Sequence, residues 1–167
     1  RGTLSQFPPE VLKRLMRLSR HDIARLNQLV ETLLDVSRIG AGRMTLHREP
    51  TNLTELVRSV IEALLIDCER SRCRIDFEAK VPVLGVWDRI RIEQVVSNLL
   101  TNAIKFGGHL PIHVSLNTSE GKSAVLRIRD QGVGISKEDQ KRIFDRFERA
   151  VSEREFGGLG LGLYIAQ

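Results

Sequence analysis

The chain is poor in cysteine, aromatic residues and long apolar runs, and each scarcity argues against a class of function. Only two cysteines occur, Cys68 and Cys73, in a helical-looking segment with no second pair and no neighbouring histidine. That argues against a zinc site and reads as two free thiols in a reducing, cytoplasmic setting. No apolar stretch approaches about 18 residues, the length of a membrane-spanning helix, and no basic-then-apolar leader stands at the N-terminus. Any membrane attachment is expected outside this sequence. Aromatic residues make up 5% of the chain. The N-terminal third, which carries the mild basic excess, contains only Phe7, so stacking on nucleic-acid bases has little support. The net charge of +5 and pI near 9.7 are less telling than how the charge is distributed. Between Lys137 and Glu155, basic residues (Lys137, Lys141, Arg142, Arg146, Arg149, Arg154) interleave with acidic ones (Glu138, Asp139, Asp145, Glu148, Glu153, Glu155). Such a face is solvated and self-compensating, and nucleic acid is not an expected partner.

What is present is enough to fold. With 167 residues, 41% of them apolar and 28% charged, the chain can bury a core of its own in one or two units. Pro8-Pro9-Glu10 suits a helix start, because proline is tolerated in the first turn and an acid favours the positive dipole end. Leu12, Leu15, Leu26, Leu29, Leu33 and Val36 then fall on alternating spacings of three and four, with Ser19 and Asp22 interrupting the seam and Ile23, Val30, Leu34 and Ile39 widening it. That stripe calls for a bundle partner. Gly40-Ala-Gly42 ends the helix. Met44–Arg48 alternates and predicts a short strand, with Glu49-Pro50-Thr51-Asn52 as a linker. The expected division is a helical fragment over 1–40, a linker with a short strand over 41–52, and a second domain over 53–167.

In that second domain an amphipathic helix is predicted from about Leu53 to Arg70, with extended pieces at Ile75–Ala79 and Val83–Trp87. Asp88 is a natural N-cap for a helix reaching Lys105. Strands are expected at Ile112–Leu116 and Ala124–Ile128, a helix capped by Ser136 through Phe147, and a last helix from Gly158. Helices and strands without strict βαβ alternation predict an α+β sandwich, a helical layer on a mostly antiparallel sheet.

Four clusters in the last 70 residues carry the chemistry. Asn98 and Asn102 are spaced i, i+4, so both amides leave one helix face, with Lys105 a turn further on. Amide oxygens are hard neutral donors suited to magnesium, and a lysine beside them can neutralise phosphate. Taken alone, such a pair is also an ordinary polar helix surface. Asp130-x-Gly132-x-Gly134 follows a strand. Its carboxylate can accept from an adenine amino group while its glycines let the backbone approach a flat ring, although the same pattern serves any acidic turn. Phe144-Asp-Arg-Phe147-Glu-Arg149 places two rings on either side of charged residues and looks like a hinge for a mobile segment, with Arg149 and Arg154 able to reach a phosphate; simple ring packing explains it equally well. Gly157-Gly158-Leu-Gly160-Leu-Gly162 opens a helix whose free amides can receive phosphates. It is neither a P-loop, since no Lys-Ser/Thr follows, nor a dinucleotide fingerprint, since Leu163 stands where the third glycine would be.

In this order the four clusters resemble the N, G1, F and G2 boxes of the sensor histidine kinase ATP-binding domain, which shares its nucleotide fold with the gyrase, heat-shock chaperone and mismatch-repair ATPases. Glu49-Pro-Thr-Asn-Leu53 resembles the start of the catalytic domain, and Leu33-Leu-Asp-Val-Ser-Arg38 the end of the second helix of the dimerisation and phosphotransfer domain. The resemblance implies a two-layer Bergerat-type fold, here C-terminally incomplete, with ATP and Mg2+ as ligands. Asn98 and Asn102 would meet metal and phosphates, and Lys105 and Arg149 the phosphates. Asp130 would take the adenine amino group, Gly132 and Gly134 would shape its pocket, and Gly158, Gly160 and Gly162 would anchor a lid containing Phe144–Glu155. Ile135, Phe147, Leu159 and Leu161 would also line the nucleotide site. Implied partners are a histidine-bearing helix of the same or a partner subunit, a response-regulator receiver domain, and a second copy in a homodimer.

Two features depart from the family pattern. The acceptor box, a histidine followed by acidic and then Arg-Thr-Pro-like residues, is absent; His21-Asp22 lacks the proline, while His47, His109 and His113 read as strand or loop residues. The final helix stops at Gln167, before the closing strands. The N box also begins with Asn98 where the related ATPases have a water-activating glutamate, and a neutral amide is no general base. Two functions remain open: a histidine kinase, or a non-catalytic ATP-sensing module of the same fold.

Overall fold

The computed structural model describes residues 8–119, 123–148 and 159–167. They fall into two compact units, the first ending at Met44 and the second starting at Thr45. The first is one helix, α1, Pro9–Gly40. Its end is a Schellman motif: Gly42 takes φ +63°, its N–H donates to the Ile39 carbonyl, and the Arg43 N–H donates to the Arg38 carbonyl. Ile23, Leu26, Val30, Leu33 and Leu34 are all about half exposed along it. No helix among the described residues is long and apolar enough to cross a membrane.

The second unit runs β1 (Glu49–Asn52), α2 (Leu53–Ala63), α3 (Leu65–Arg70), β2 (Ile75–Ala79), β3 (Leu84–Trp87), α4 (Arg89–Phe106), β4 (Ile112–Ser119), β5 (Ser123–Arg129) and a short α5 (Gly162–Ala166). β2, β4 and β5 form one sheet in the order β2-β4-β5, and β1 pairs with β3 in a second. Leu56, Val57 and Val60 of α2 and Val96, Leu100 and Ala103 of α4 meet Ile112, Val114 and Leu116 of β4 in a single core. This is the α+β two-layer arrangement that the mixed elements predict.

Several local expectations are corrected. Met44–Arg48 is irregular, and the strand lies on the next four residues, Glu49–Asn52, which had the composition of a linker. Pairing decides this: Glu49 lies opposite Trp87 and Asn52 opposite Leu84, and the proline within is tolerated because the strand is at an edge. The helix expected to run unbroken to Arg70 divides at Leu64, whose φ of −94° and ψ of 1° leave the helical range. The β2–β4 pairing is parallel, since the chain returns to the sheet by way of α4, and such a crossover brings a strand back in the same direction. Between Ser136 and Phe147 only a 3-10 turn, Asp139–Lys141, forms. The Ser136 hydroxyl does accept from the Asp139 N–H at 3.0 Å, but side-chain links then take over: Arg142 bridges Asp139 and Glu148.

Cys68 is buried in the core and Cys73 half-buried, and both are free. Burial, reinforced by the neighbouring Cys73, pushes the Cys68 thiol up to about 11, so it stays protonated and unreactive at neutral pH.

Asp88 starts α4 as expected. Its Oδ1 accepts from the Arg91 N–H at 3.1 Å and its Oδ2 from the His47 N–H at 2.8 Å. These backbone donors, His47 first, hold its carboxyl below the usual range. A depressed folded-state pKa stabilises above the ordinary carboxylate pKa, and that stabilisation is lost as pH falls through the folded value. Asp88→Ala should therefore lower the unfolding temperature at pH 7 by roughly 2–5 °C. The gap from the parent chain should begin to narrow below about pH 4, the ordinary carboxylate value, and close only as the pH falls through the lower folded-state value. Thermal unfolding across that range checks both.

Candidate functional site

The site is built on α4. Val96, Leu100, Ala103 and Ile104 are buried, which fixes the helix's rotation and leaves Asn98, Asn102 and Lys105 partly exposed. Asn98 and Asn102 lie on one face, four residues apart. The Asn98 amide Nδ2 donates to the Gly162 carbonyl at 3.4 Å, so the N-terminal part of this face touches the start of α5. The Lys105 ammonium sits 4.7 Å from the centre of the Phe106 ring.

The other end of the same face meets the acidic turn. The Asp130 Oδ1 accepts from the Gly132 N–H at 2.9 Å, and the Val133 N–H donates to the Phe106 carbonyl at 3.3 Å. Gly132 passes so near that carbonyl that a Cβ there would lie 1.7 Å from its oxygen. Only glycine permits that approach. Gly134 takes φ +69° with open space around it.

The glycine run arrives from the α5 side. Gly160 adopts φ +69° and Phe147 φ +64°, and the Phe147 N–H donates to the Gly160 carbonyl at 3.1 Å. Leu161 is buried, at 1% exposure, and pins the run to the domain. The helix begins at Gly162 rather than Gly158, because the left-handed Gly160 cannot be part of it.

Three of the four clusters thus converge on the C-terminal half of α4: Asn98 at Gly162, the Asp130 turn at Phe106, and Asn102 on the helix between them. The fourth joins through Phe147 and Gly160. Val133, Ile135, Phe144, Phe147 and Leu159 are large apolar residues left 41–74% exposed on these segments. Arg149, Gly157 and Gly158, with Arg154 and Glu155, lie outside the described residues. His47 and His109 lie in loops and His113 on β4, facing Asp76. Two contacts were not legible in the sequence: the Gly132 approach to Phe106, and the bond from Arg146 to Tyr164. The second spans 18 positions, and no motif spacing announces it.

Residues 87–167 match the family model described as histidine kinase-, DNA gyrase B-, and HSP90-like ATPase. Over 167 residues the chain is 34% identical to the signal transduction histidine-protein kinase AfsQ2 of Streptomyces coelicolor, which covers 99% of this chain and 30% of AfsQ2. The chain carries the ATP-binding catalytic domain of the sensor histidine kinases. Its fold matches the Acinetobacter baumannii histidine kinase AdeS with a TM-score of 0.72 at 26% identity, over 96% of this chain and 72% of that one. It matches full-length ShkA, solved with AMPPNP, with a TM-score of 0.77 at 25% identity, over 96% of this chain and 33% of ShkA. In this histidine kinase domain the close glycine approach should be the least forgiving position. Gly132→Ala is expected to cost ~1–3 kcal/mol through overpacking and to displace the Phe106 and Gly107 amide resonances. Gly134→Ala, which meets no neighbour but must hold φ +69°, should cost ~1–2 kcal/mol of backbone strain and leave those resonances in place. Denaturant unfolding and amide spectra of both variants check this, and identical shifts at Phe106 would contradict it.

Proposed function

We propose that the chain is the ATP-binding catalytic part of a sensor histidine kinase. It moves the γ-phosphoryl of ATP to a histidine on a helix outside this sequence, for relay to an aspartate of a response-regulator receiver domain. The observation that supports this best is the convergence of the amide, carboxylate and glycine clusters on one face of α4.

In this reading Asp130 accepts from the adenine amino group. The Gly132 approach leaves the backbone flat enough for the ring, and Ile135, Phe147 and Leu159 offer it apolar surface. The donor set fits a hard cation: Asn98 and Asn102, four residues apart on a partly exposed face of α4, supply neutral amide oxygens. Those two residues would hold Mg2+ together with the phosphates, and the bound cation would neutralise charge on them. Lys105, a turn beyond Asn102 along α4, adds positive charge. Asn98 is neutral and cannot take a proton from water, so hydrolysis is disfavoured and the phosphoryl is kept for the histidine. Phosphoryl transfer needs positioning and charge neutralisation more than covalent help, and that is what this arrangement offers. The exposed apolar stripe of α1 suits a helical bundle with a second copy, in a cytoplasmic homodimer.

Asp130→Asn should weaken Mg-ATP binding at least about tenfold by calorimetry, because the adenine amino group then faces an amide that can present a donor in place of the carboxylate. With γ-labelled ATP the chain alone should remain unlabelled. A histidine-bearing bundle helix supplied in trans should acquire acid-labile, base-stable phosphate. Nucleotide binding without transfer to that helix would favour an ATP-sensing module and contradict the kinase assignment.

A further inference from the structure

We propose that Arg146 and Tyr164 form a positioning clasp that ties the Phe144–Glu148 segment to α5 and so sets the backbone that grips the nucleotide phosphates. The inference rests on the nucleotide-site reading above. The Arg146 guanidinium donates to the Tyr164 hydroxyl at 2.7 Å and lies 4.8 Å from the centre of its ring. Only arginine combines a planar cation for the ring with a directed donor for the hydroxyl, and both are used here.

The clasp matters because α5 is too short to hold itself. A helix of five residues, Gly162–Ala166, is far below the length that is stable alone, so its place depends on tertiary anchors. Three are visible: buried Leu161 at its start, the Asn98 amide on the Gly162 carbonyl, and Arg146 on Tyr164. Arg146 directly precedes Phe147, whose left-handed backbone is held by its bond to the Gly160 carbonyl. The contacts close a ring, from Gly162 along α5 to Tyr164, across to Arg146, through Phe147 to Gly160 and back along the chain to Gly162, and Asn98 tethers that ring to α4. Opening the ring at the clasp frees Phe147 and Gly160 together, and lets α5 shift against Asn98. Arg146 and Tyr164 are thus positioning residues that act through Asn98 and Gly160. On the other side of the segment, Arg142 holds Asp139 and Glu148, so Arg146 is the cation of this segment that links it to α5.

The test is calorimetric titration of the 167-residue chain with Mg-ATP, alongside amide hydrogen exchange without nucleotide, for Arg146→Ala, Tyr164→Phe and the double variant. Arg146→Ala should weaken binding ~3–10-fold, as expected for loss of a partly exposed cation–π contact and its hydrogen bond. Tyr164→Phe keeps the ring and should lose less. The double variant should bind no more weakly than Arg146→Ala, because the two residues act as one unit. The Phe147 amide should exchange faster in Arg146→Ala while the Leu100 and Val114 amides keep their protection, which a general loss of stability would not reproduce. Parental affinity in Arg146→Ala, additive losses, or exchange accelerated across the core would overturn the clasp. If the parent chain itself binds no Mg-ATP, the nucleotide-site reading fails and the clasp falls with it; if it binds and Arg146→Ala binds equally well, the clasp alone fails.

Discussion

The burial of one face of α4 is the constraint on which the rest depends. Val96 and Leu100, at 1% and 0% exposure, lock the helix against β4 and α2, and Asp88 fixes where it begins. With axial rotation and start both set, Asn98 and Asn102 have one direction in which to point. The Asp130 turn and the glycine run then have a rigid rail to dock on. A polar pair on a loosely held helix would be an ordinary solvated surface; on this one it is held in a fixed direction, as the proposed metal and phosphate contacts require.

Glycine does the complementary work of letting backbone come close. At Gly132 closeness is required, because the turn lies against the Phe106 carbonyl. At Gly134 and Gly160 it is the left-handed conformation that is required. The same residue type therefore meets two different demands around the α4 face, which is why a bare glycine count in the sequence says little and its spacing from Asp130 and Asn98 says more.

Much of this was legible in the sequence where local chemistry and tertiary context agree. Asp88 followed by a helical apolar pattern announced α4 almost to the residue, and the alternation at Ile112–Leu116 and Ala124–Ile128 announced the strands. The four clusters were readable because their residue types and order point to one ligand class. Legibility failed where a distant partner decides. Glu49–Asn52 is a strand only because Leu84–Trp87 lies beside it, and nothing local marks a strand with a proline inside. The stretch after Ser136 carries a cap and helical composition, yet the Arg142 bridges to Asp139 and Glu148 hold it as turns. The Arg146–Tyr164 contact has no local signature: Arg146 lies inside the Phe144–Arg149 cluster, but Tyr164 lies beyond the glycine run and no spacing pairs the two.

The most direct test of the central claim, that these segments share one nucleotide, is an amide spectrum of the isotopically labelled chain titrated with Mg-ATP. Saturable shifts should be confined to Asn98–Phe106, Asp130–Ile135 and Leu159–Leu163, with the β1–β3 sheet unmoved. Shifts absent from the Asp130 turn, or centred on Trp87 and its neighbours, would contradict it.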